Sequence, residues 1–383
     1  LREVSQVQAI DVAIIGGGIA GLWTLAMLRK QGYSAILLEK AGLGAGQTIA
    51  SQGIIHGGTK YALTGQLSGA AQAITAMPGK WKAALQGMGE IDLSHAKQLS
   101  EHQYLWTTQA LGGKLTAFFA GKMMQNRMTR LSQKNLPDFL PANFQGHCYA
   151  LEEPVLDLVS ILQCFAEQFR DCIITDANWE KREEKLIVNQ QVFLPTTWLN
   201  CAGEANAQLS NAKQQIRPLL MTALKIPTDA PDIYGHCLGM SDKPKITITT
   251  HPYDYRNVDM GKVYWIGGQP AEEGVGREYS SHIQSIQQLL QETLPWLPPS
   301  WTRAKENYQC IPINRAEGAA GGKRPDFPVI EQQNNEITIW PTKLAFAPFV
   351  AEKVIARLPA SHYSQPAFPQ KEIRLSNYCW TKQ

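Results

Sequence analysis

Four consecutive apolar residues, Val12-Ala13-Ile14-Ile15, follow Asp11 and stop at a run of glycines, the pattern of a parallel strand buried on both faces. A helix is predicted from about Ala20 to Lys30, ended by Gly32, and a second apolar run, Ala35-Ile36-Leu37-Leu38, predicts the next strand. Further along, Leu158, Ile161, Leu162, Phe165 and Phe169 recur at helical spacing. The pattern then shortens to apolar runs at Leu219 to Ile226, Lys245 to Thr250 and Val263 to Ile266, broken by Pro, Gly and Asp, which predict antiparallel strands. Helical spacing returns from Ser281 to Leu294 through Ile283, Ile286, Leu289 and Leu290, and Pro295 ends it. Residues 113 to 135 place Leu115, Phe118, Phe119, Met123 and Met124 among Lys122, Arg127 and Arg130, which predicts an amphipathic helix.

Between the first strand and the first helix, Gly16, Gly18 and Gly21 give the spacing GxGxxG. The first glycine permits a tight turn, the second lets the backbone approach a pyrophosphate, and the third allows close packing of helix on strand. The helix N-terminus then offers free N–H groups and partial positive charge to the phosphates. The second strand delivers Glu39, 23 positions after Gly16, where an acid can take a ribose hydroxyl pair. Strand, glycines, helix, strand and acid in this order predict a dinucleotide site, without separating NAD from FAD. Residues 42 to 58 are again glycine-rich, backbone that can lie close against a flat ligand, and they end in His56-Gly57-Gly58.

With 383 residues, 44% of them apolar, the chain can bury two cores. A formal charge of +3 is too small for a nucleic-acid footprint, so no nucleic acid is expected. No apolar run reaches the roughly 18 residues of a membrane span. The amphipathic segment at 113 to 135 also admits peripheral membrane contact, but Met and Phe at helical spacing are more often core, the reading preferred here. Arg2, Glu3 and two glutamines precede the first strand in place of a signal peptide's apolar segment. Seven scattered cysteines show no CxxC pair and no metal spacing, which suits reduced thiols, a cytoplasmic location and no metal site.

The glycine-rich loop ending in His56-Gly57-Gly58-Thr59-Lys60-Tyr61 resembles that of the D-amino-acid oxidase and glycerol-3-phosphate dehydrogenase superfamily of flavoproteins, including the L-2-hydroxyglutarate oxidases. Glu152-Glu153-Pro154-Val155-Leu156-Asp157 looks like the segment leading that family back into its cofactor domain. Trp198-Leu199-Asn200-Cys201-Ala202-Gly203 looks like its third cofactor motif. Arg315, the run Arg324 to Ile330, a last strand at Glu336 to Trp340, the loop Pro341 to Pro348 and a helix from about Phe349 to Leu358 resemble its closing elements.

The resemblance implies an α/β plus α+β fold: a Rossmann-like FAD-binding domain (9–76, 148–214 and 310–383) with a discontinuous substrate domain (77–147 and 215–309) on a mainly antiparallel sheet. FAD is the implied cofactor. Its implied contacts are Gly16, Gly18, Ile19, Ala20 and Gly21 in the fingerprint, Glu39 and Lys40 after the second strand, and Gly46, Gln47, Thr48, Ser51, Gln52, Gly53 and Ile54 in the loop. Val155, Ala202, Gly203, Arg315, Thr342, Lys343 and Leu344 complete them. One departure stands out: Trp340-Pro341 occupies the place where relatives often carry Gly-Gly or Ser-Gly, and proline removes one N–H donor to the flavin.

A flavin that oxidises an alcohol or amine carbon takes up a hydride, while the protein positions the substrate and accepts its proton. His56, ending the flavin loop, is the expected base. It is implied to act with Tyr61, Arg315 and Lys343 as the catalytic set, and Tyr61, Arg315, Arg324 and Lys343 to grip an anionic substrate, for which arginine suits a bidentate hold. The expected activity is oxidation of a C–O or C–N bond in a small anionic substrate, 2-hydroxy acids and glycerol-3-phosphate-like alcohols ahead of amino acids, with the electron acceptor left open. The alternatives are an amino acid oxidase, and an FAD-binding protein whose redox site has decayed and which serves in assembly or RNA modification.

Overall fold

β1 (Val7–Ile15) lies at the centre of a sheet whose neighbours in space come from far along the chain. With strands numbered in chain order, the sheet runs β17 (Val329–Gln333), β18 (Glu336–Trp340), β11 (Gln191–Asn200), β1, β2 (Ala35–Leu38) and β8 (Ile173–Ile174). From β18 to β8 every pairing is parallel, and β17 adds an antiparallel edge. The hairpin of β9 (Trp179–Arg182) and β10 (Lys185–Val188) extends β11 at its opening end. The register Ile15↔Leu38 and Ile15↔Asn200 sets the carboxyl ends of β1, β2 and β11 side by side, the edge where open α/β sheets receive ligands. This is a Rossmann-like arrangement, seen in a computed structural model that describes residues 7–58, 69–108, 128–239, 244–319, 321, 325–366 and 372–381.

The apolar runs explain these elements. Ile10 to Ile15 are buried on both faces because helices cover one side and the β9–β10 hairpin part of the other. The first helix (Ile19–Lys30) is buried from Ile19 to Leu28 and packs on the Ala347–Ile355 helix. Asp157 caps the Leu158–Gln168 helix, its carboxylate accepting from the Ser160 N–H at 3.0 Å.

The second sheet contains β4 (Gln103–Thr107), β5 (Met128–Arg130), β6 (Cys148–Leu151), β12 (Gln214–Ile226), β13 (Tyr234–Leu238), β14 (Ile246–Asp254), β15 (Asn257–Gly267) and β16 (Tyr308–Gly318). Their order is β16-β12-β15-β14-β13-β4-β6-β5; β4 and β13 run parallel and the other neighbours antiparallel. Period-two alternation gives this sheet two apolar faces. Met221, Ala223, Val263 and Trp265 join the core shared with the first sheet. Leu224, Ile226, Tyr264 and Ile266 pack with Ile286 and Leu290 of the Tyr279–Thr293 helix in a second core. A short ribbon pairs β3 (Gln98–Ser100) with β7 (Val155–Leu156).

Three expectations are corrected by hydrogen bonding. β6 and β16 belong to the second sheet, although residues 148 and 310 onward were expected in the cofactor domain; β16 pairs along its whole length with β12. The end of the expected amphipathic helix is instead β5, followed by one 3-10 turn at Gln133–Asn135; residues 113–127 lie outside the described residues. The closing helix starts two residues early, at Ala347, because a 3-10 turn at Leu344–Phe346 leads into it. Among the described residues no helix is long and apolar enough to cross a membrane.

Candidate active site

Gly16 turns the chain out of β1 at φ +112°, and a Cβ there would fall 2.5 Å from the Cys201 carbonyl oxygen. A Cβ on Gly21 would fall 2.2 Å from the Gly16 carbonyl oxygen. Glycine is therefore required twice, once to let the end of β11 close on the loop and once to seat the helix. Gly18 caps the helix without a side-chain bond of its own, while Thr48 Oγ1 accepts the Ile19 N–H at 3.0 Å; Ala20 is buried behind them. Glu39, 8% exposed, accepts the N–H groups of Gly17 (2.8 Å) and Ala41 (2.9 Å), one on each carboxylate oxygen. A carboxylate has about four acceptor positions, so two remain for hydroxyl donors. Among the described residues nothing lies within 4 Å of a Gly46 Cβ, while a Cβ on Gly203 would meet Gln47 Nε2 at 3.4 Å. Lys40 is exposed beyond Glu39, Ser51 is partly buried, and Ala202 N–H is bonded to Asn206 Oδ1 at 2.8 Å.

The loop then pairs with β7 and the residue before it. Gly53, at φ +71°, would place a Cβ 2.4 Å from Leu156 O. Its carbonyl accepts the Leu156 N–H, Ile55 N–H reaches Pro154 O, and Ile54 bridges Val155. This short ladder brings Glu153 against His56. One Glu153 oxygen accepts the Gly57 N–H at 2.7 Å and the other lies 3.3 Å from His56 Nδ1. Glu153 is 4% exposed, while the His56 side chain is 39% exposed. From β13, His236 stacks on His56 with centroids 6.1 Å apart and planes at 11°. Its Nδ1 meets Thr247 Oγ1 at 2.7 Å and its Nε2 meets the side-chain amide of the buried Gln103. Burial, helped by the neighbouring His56 and opposed by Glu153, pushes the His236 imidazole down to about 3, so it is neutral at physiological pH. Gln52 ties the loop to this sheet, its amide donating to Trp265 O (3.0 Å) and Thr247 O (3.3 Å).

Arg315 on β16 stands opposite Arg217 on β12, on the face that carries Met221 and Ile313 into the shared core. Arg217 pairs with Glu317 at 3.1 Å, and Glu272 lies 3.6 Å from Arg217 and 3.9 Å from Arg315. Trp340 Nε1 donates to Gln214 Oε1, so the start of β12 adjoins the carboxyl end of β18. The closing turn follows: Thr342 sits at φ +60°, the Lys343 N–H is taken by Pro341 O at 2.7 Å, Lys343 Nζ lies 5.8 Å from the Phe346 ring centre, and Leu344 begins the 3-10 turn. Tyr61 and Arg324 lie outside the described residues. A cleft of about 690 Å³ opens at the opposite end of the first helix, lined by Arg29, Lys30 and Asp171, away from the glycines.

Sequence reasoning missed the positions of Glu153, His236, Gln103 and Arg217. Arg217 had no usable signal, since the Arg315 strand was expected in the cofactor domain and not beside β12. His236 had none, because its approach to His56 depends on sheet packing.

The model of the family described as FAD dependent oxidoreductase matches residues 11–340. A probable FAD-dependent oxidoreductase of Pseudomonas aeruginosa, PA4991, is 38% identical over 96% of this chain and 97% of its own. The chain belongs to the FAD-dependent oxidoreductase family. The crystal structure of the Pseudomonas protein superposes with a TM-score of 0.81 over 98% of both chains, at 33% identity. Glycine oxidase from Geobacillus kaustophilus (TM-score 0.64, 11% identity, 92% and 95% covered) shares the fold. So does L-alpha-glycerophosphate oxidase from Mycoplasma pneumoniae with FAD bound (0.61, 14%, 95% and 100%). FAD is thus the cofactor of this oxidoreductase. The helix N-terminus at Gly18, the open side of Gly46 and the spare acceptor positions on Glu39 fit its pyrophosphate and ribose.

Proposed function

We propose that this enzyme oxidises the C–O or C–N bond of a small anionic substrate, with 2-hydroxy acids and glycerol-3-phosphate-like alcohols ahead of amino acids. The observation that carries this reading is the His56–Glu153 pair at the junction of the cofactor loop and the second sheet. Bound FAD supplies the acceptor for the substrate's hydride. The remaining work falls to the chain's own residues. His56 Nε2 takes the proton from the substrate O–H or N–H as the C=O or C=N bond forms. Arg315, with Arg217 beside it, holds the substrate's carboxylate or phosphate, and Lys343, Tyr61 and Arg324 are assigned to the same anion. The second sheet, mainly antiparallel, forms the substrate domain and its Gln52 tie keeps His56 in register with it. The fingerprint, Glu39 and Lys40, the 46–54 loop, Val155, Ala202, Gly203 and Thr342 to Leu344 are assigned to FAD. Seven unpaired cysteines support work in the reducing cytoplasm.

The test is anaerobic mixing of the yellow protein with hydroxy acids, polyol phosphates and amino acids. Bleaching by a hydroxy acid or polyol phosphate supports the preferred class, and bleaching by amino acids alone replaces it with an amino acid oxidase. A flavin that none of them reduces favours the decayed redox site.

A further inference from the structure

The pairing of the 53–57 loop with residues 153–156 fixes a carboxylate against one nitrogen of His56. An ionised carboxylate only accepts hydrogen bonds, so the nitrogen it touches must carry the proton. We propose that Glu153 is a positioning residue that holds His56 in the Nδ1–H tautomer and leaves Nε2 bare as the proton-accepting nitrogen. This deepens the functional reading above and rests on it only for the use to which Nε2 is put.

Three features make the hold specific. Glu153 cannot swing away without losing the Gly57 N–H at 2.7 Å, and its surroundings leave it 4% exposed. The backbone on both sides is locked by the Gly53–Leu156 and Ile55–Pro154 hydrogen bonds, which a side chain at Gly53 would break. The His56 ring plane is set from the other side by His236, whose two nitrogens are both engaged, by Thr247 and by Gln103. Because burial keeps His236 uncharged, it does not compete with His56 for the carboxylate. The arrangement follows the general rule that the bond made by one imidazole nitrogen decides what the other can do.

Glu153→Gln separates orientation from bulk. Its amide oxygen can still accept the Gly57 N–H, but its NH2 group must donate to His56 Nδ1, which drives the ring to the Nε2–H tautomer. In protein labelled with 15N-histidine, two-bond proton–nitrogen spectra at neutral pH should show the Nδ1–H pattern for wild-type His56, assigned by its loss in His56→Asn. The pattern should reverse in Glu153→Gln while the visible flavin spectrum is retained. Anaerobic flavin reduction should then slow by up to about 10⁴-fold, as when a carboxylate that orients a histidine base is made an amide. A wild-type His56 in the Nε2–H form, or a tautomer unchanged by Glu153→Gln, overturns the proposal. Should the variant not fold, the wild-type spectrum alone decides. A reversed tautomer with undiminished flavin reduction upholds the role of Glu153 and removes His56 as the base.

Discussion

The imidazole of His236 lies nearly parallel to that of His56, at 11° and 6.1 Å, although one ring comes from the second sheet and the other from the cofactor loop. His236 is clamped between Thr247 and Gln103, and burial holds it down to about 3. His251, 2% exposed among Tyr378 and Trp380, is pushed down to about 3 in the same way.

Both histidines make the fold acid-sensitive. In the unfolded chain a histidine takes up its proton near pH 6.5, while in the folded protein these two remain neutral until about 3. Between those values the unfolded state binds more protons, so the stability present above pH 6.5 is lost as pH falls toward 3. Each histidine adds a slope of up to about 1.4 kcal/mol per pH unit. Urea unfolding at a series of pH values should show this slope, and it should flatten in the pair His236→Asn and His251→Asn. Equal slopes in wild type and double variant would show that other groups cause the acid loss.

Glu39, assigned above to FAD, also holds the loop structure around it. Its two oxygens hold the N–H groups of Gly17 and Ala41, and hydrogen bonds to a charged partner contribute about 1.5–3 kcal/mol each. Glu39→Ala should lower the stability of the apoprotein by about 3–6 kcal/mol and also weaken FAD binding at least tenfold, read by flavin fluorescence. Weaker FAD binding with unchanged apoprotein stability would mean that the two backbone bonds contribute nothing.

The cofactor half of the molecule was readable because its signals are local. Strand, glycine turn, helix and acid follow one another within 30 residues or so, and Gly16 and Gly21 each have a steric reason that a neighbouring backbone atom makes explicit. The apolar runs of β12, β14 and β15 were readable for the same reason. What escaped depends on contacts between distant segments. Nothing near His236 announces that a parallel β4–β13 pairing will bring Gln103 to its ring, and nothing near residue 310 tells that β16 leaves the cofactor region to pair with β12. The 113–135 pattern misled at its end because three residues, Met128 to Arg130, are captured by β6.

A glycine of the first helix and a glycine of the 42–58 loop should behave differently. Gly21→Ala pushes a Cβ to 2.2 Å from a backbone oxygen that cannot move without unseating the helix, so a loss of at least about 3 kcal/mol and little bound FAD are expected. Gly46→Ala meets open space among the described residues and bears mainly the strain of φ +83°, about 1–2 kcal/mol. Thermal unfolding and flavin content of the two purified variants provide the comparison. Gly46→Ala unfolding as early as Gly21→Ala would refute the steric account.

Trp380 binds the end of the described chain to the second sheet. It is 1% exposed, stacks on Tyr378 at 4.6 Å, meets Trp265 at 5.1 Å and donates to the carbonyls of Tyr253 and Pro252. Trp265 in turn donates to Ala50 O in the cofactor loop. Trp380→Ala should therefore cost about 3–5 kcal/mol in unfolding, and because Trp265 loses its support, FAD retention should fall as well. A destabilised variant that keeps FAD as tightly as wild type would separate Trp380 from the loop.

Glu272 provides a test of the proposed anion site that runs in the opposite direction from the usual loss of function. It lies 3.6 Å from Arg217 and 3.9 Å from Arg315, too far for a strong bidentate pair, yet close enough to offset the positive charge that a substrate anion would seek. Arg217 also has the buried carboxylate of Glu317 at 3.1 Å, so it keeps a partner when Glu272 is neutralised. Arg315→Gln should raise KM for an anionic substrate about 10- to 100-fold with a smaller change in kcat, the loss of one charge-assisted bond. Glu272→Gln should lower KM several-fold, and the gain should shrink as salt screens the half-buried arginines. If KM rises in both variants alike, the two arginines hold the fold together through Glu272 and the substrate anion binds elsewhere.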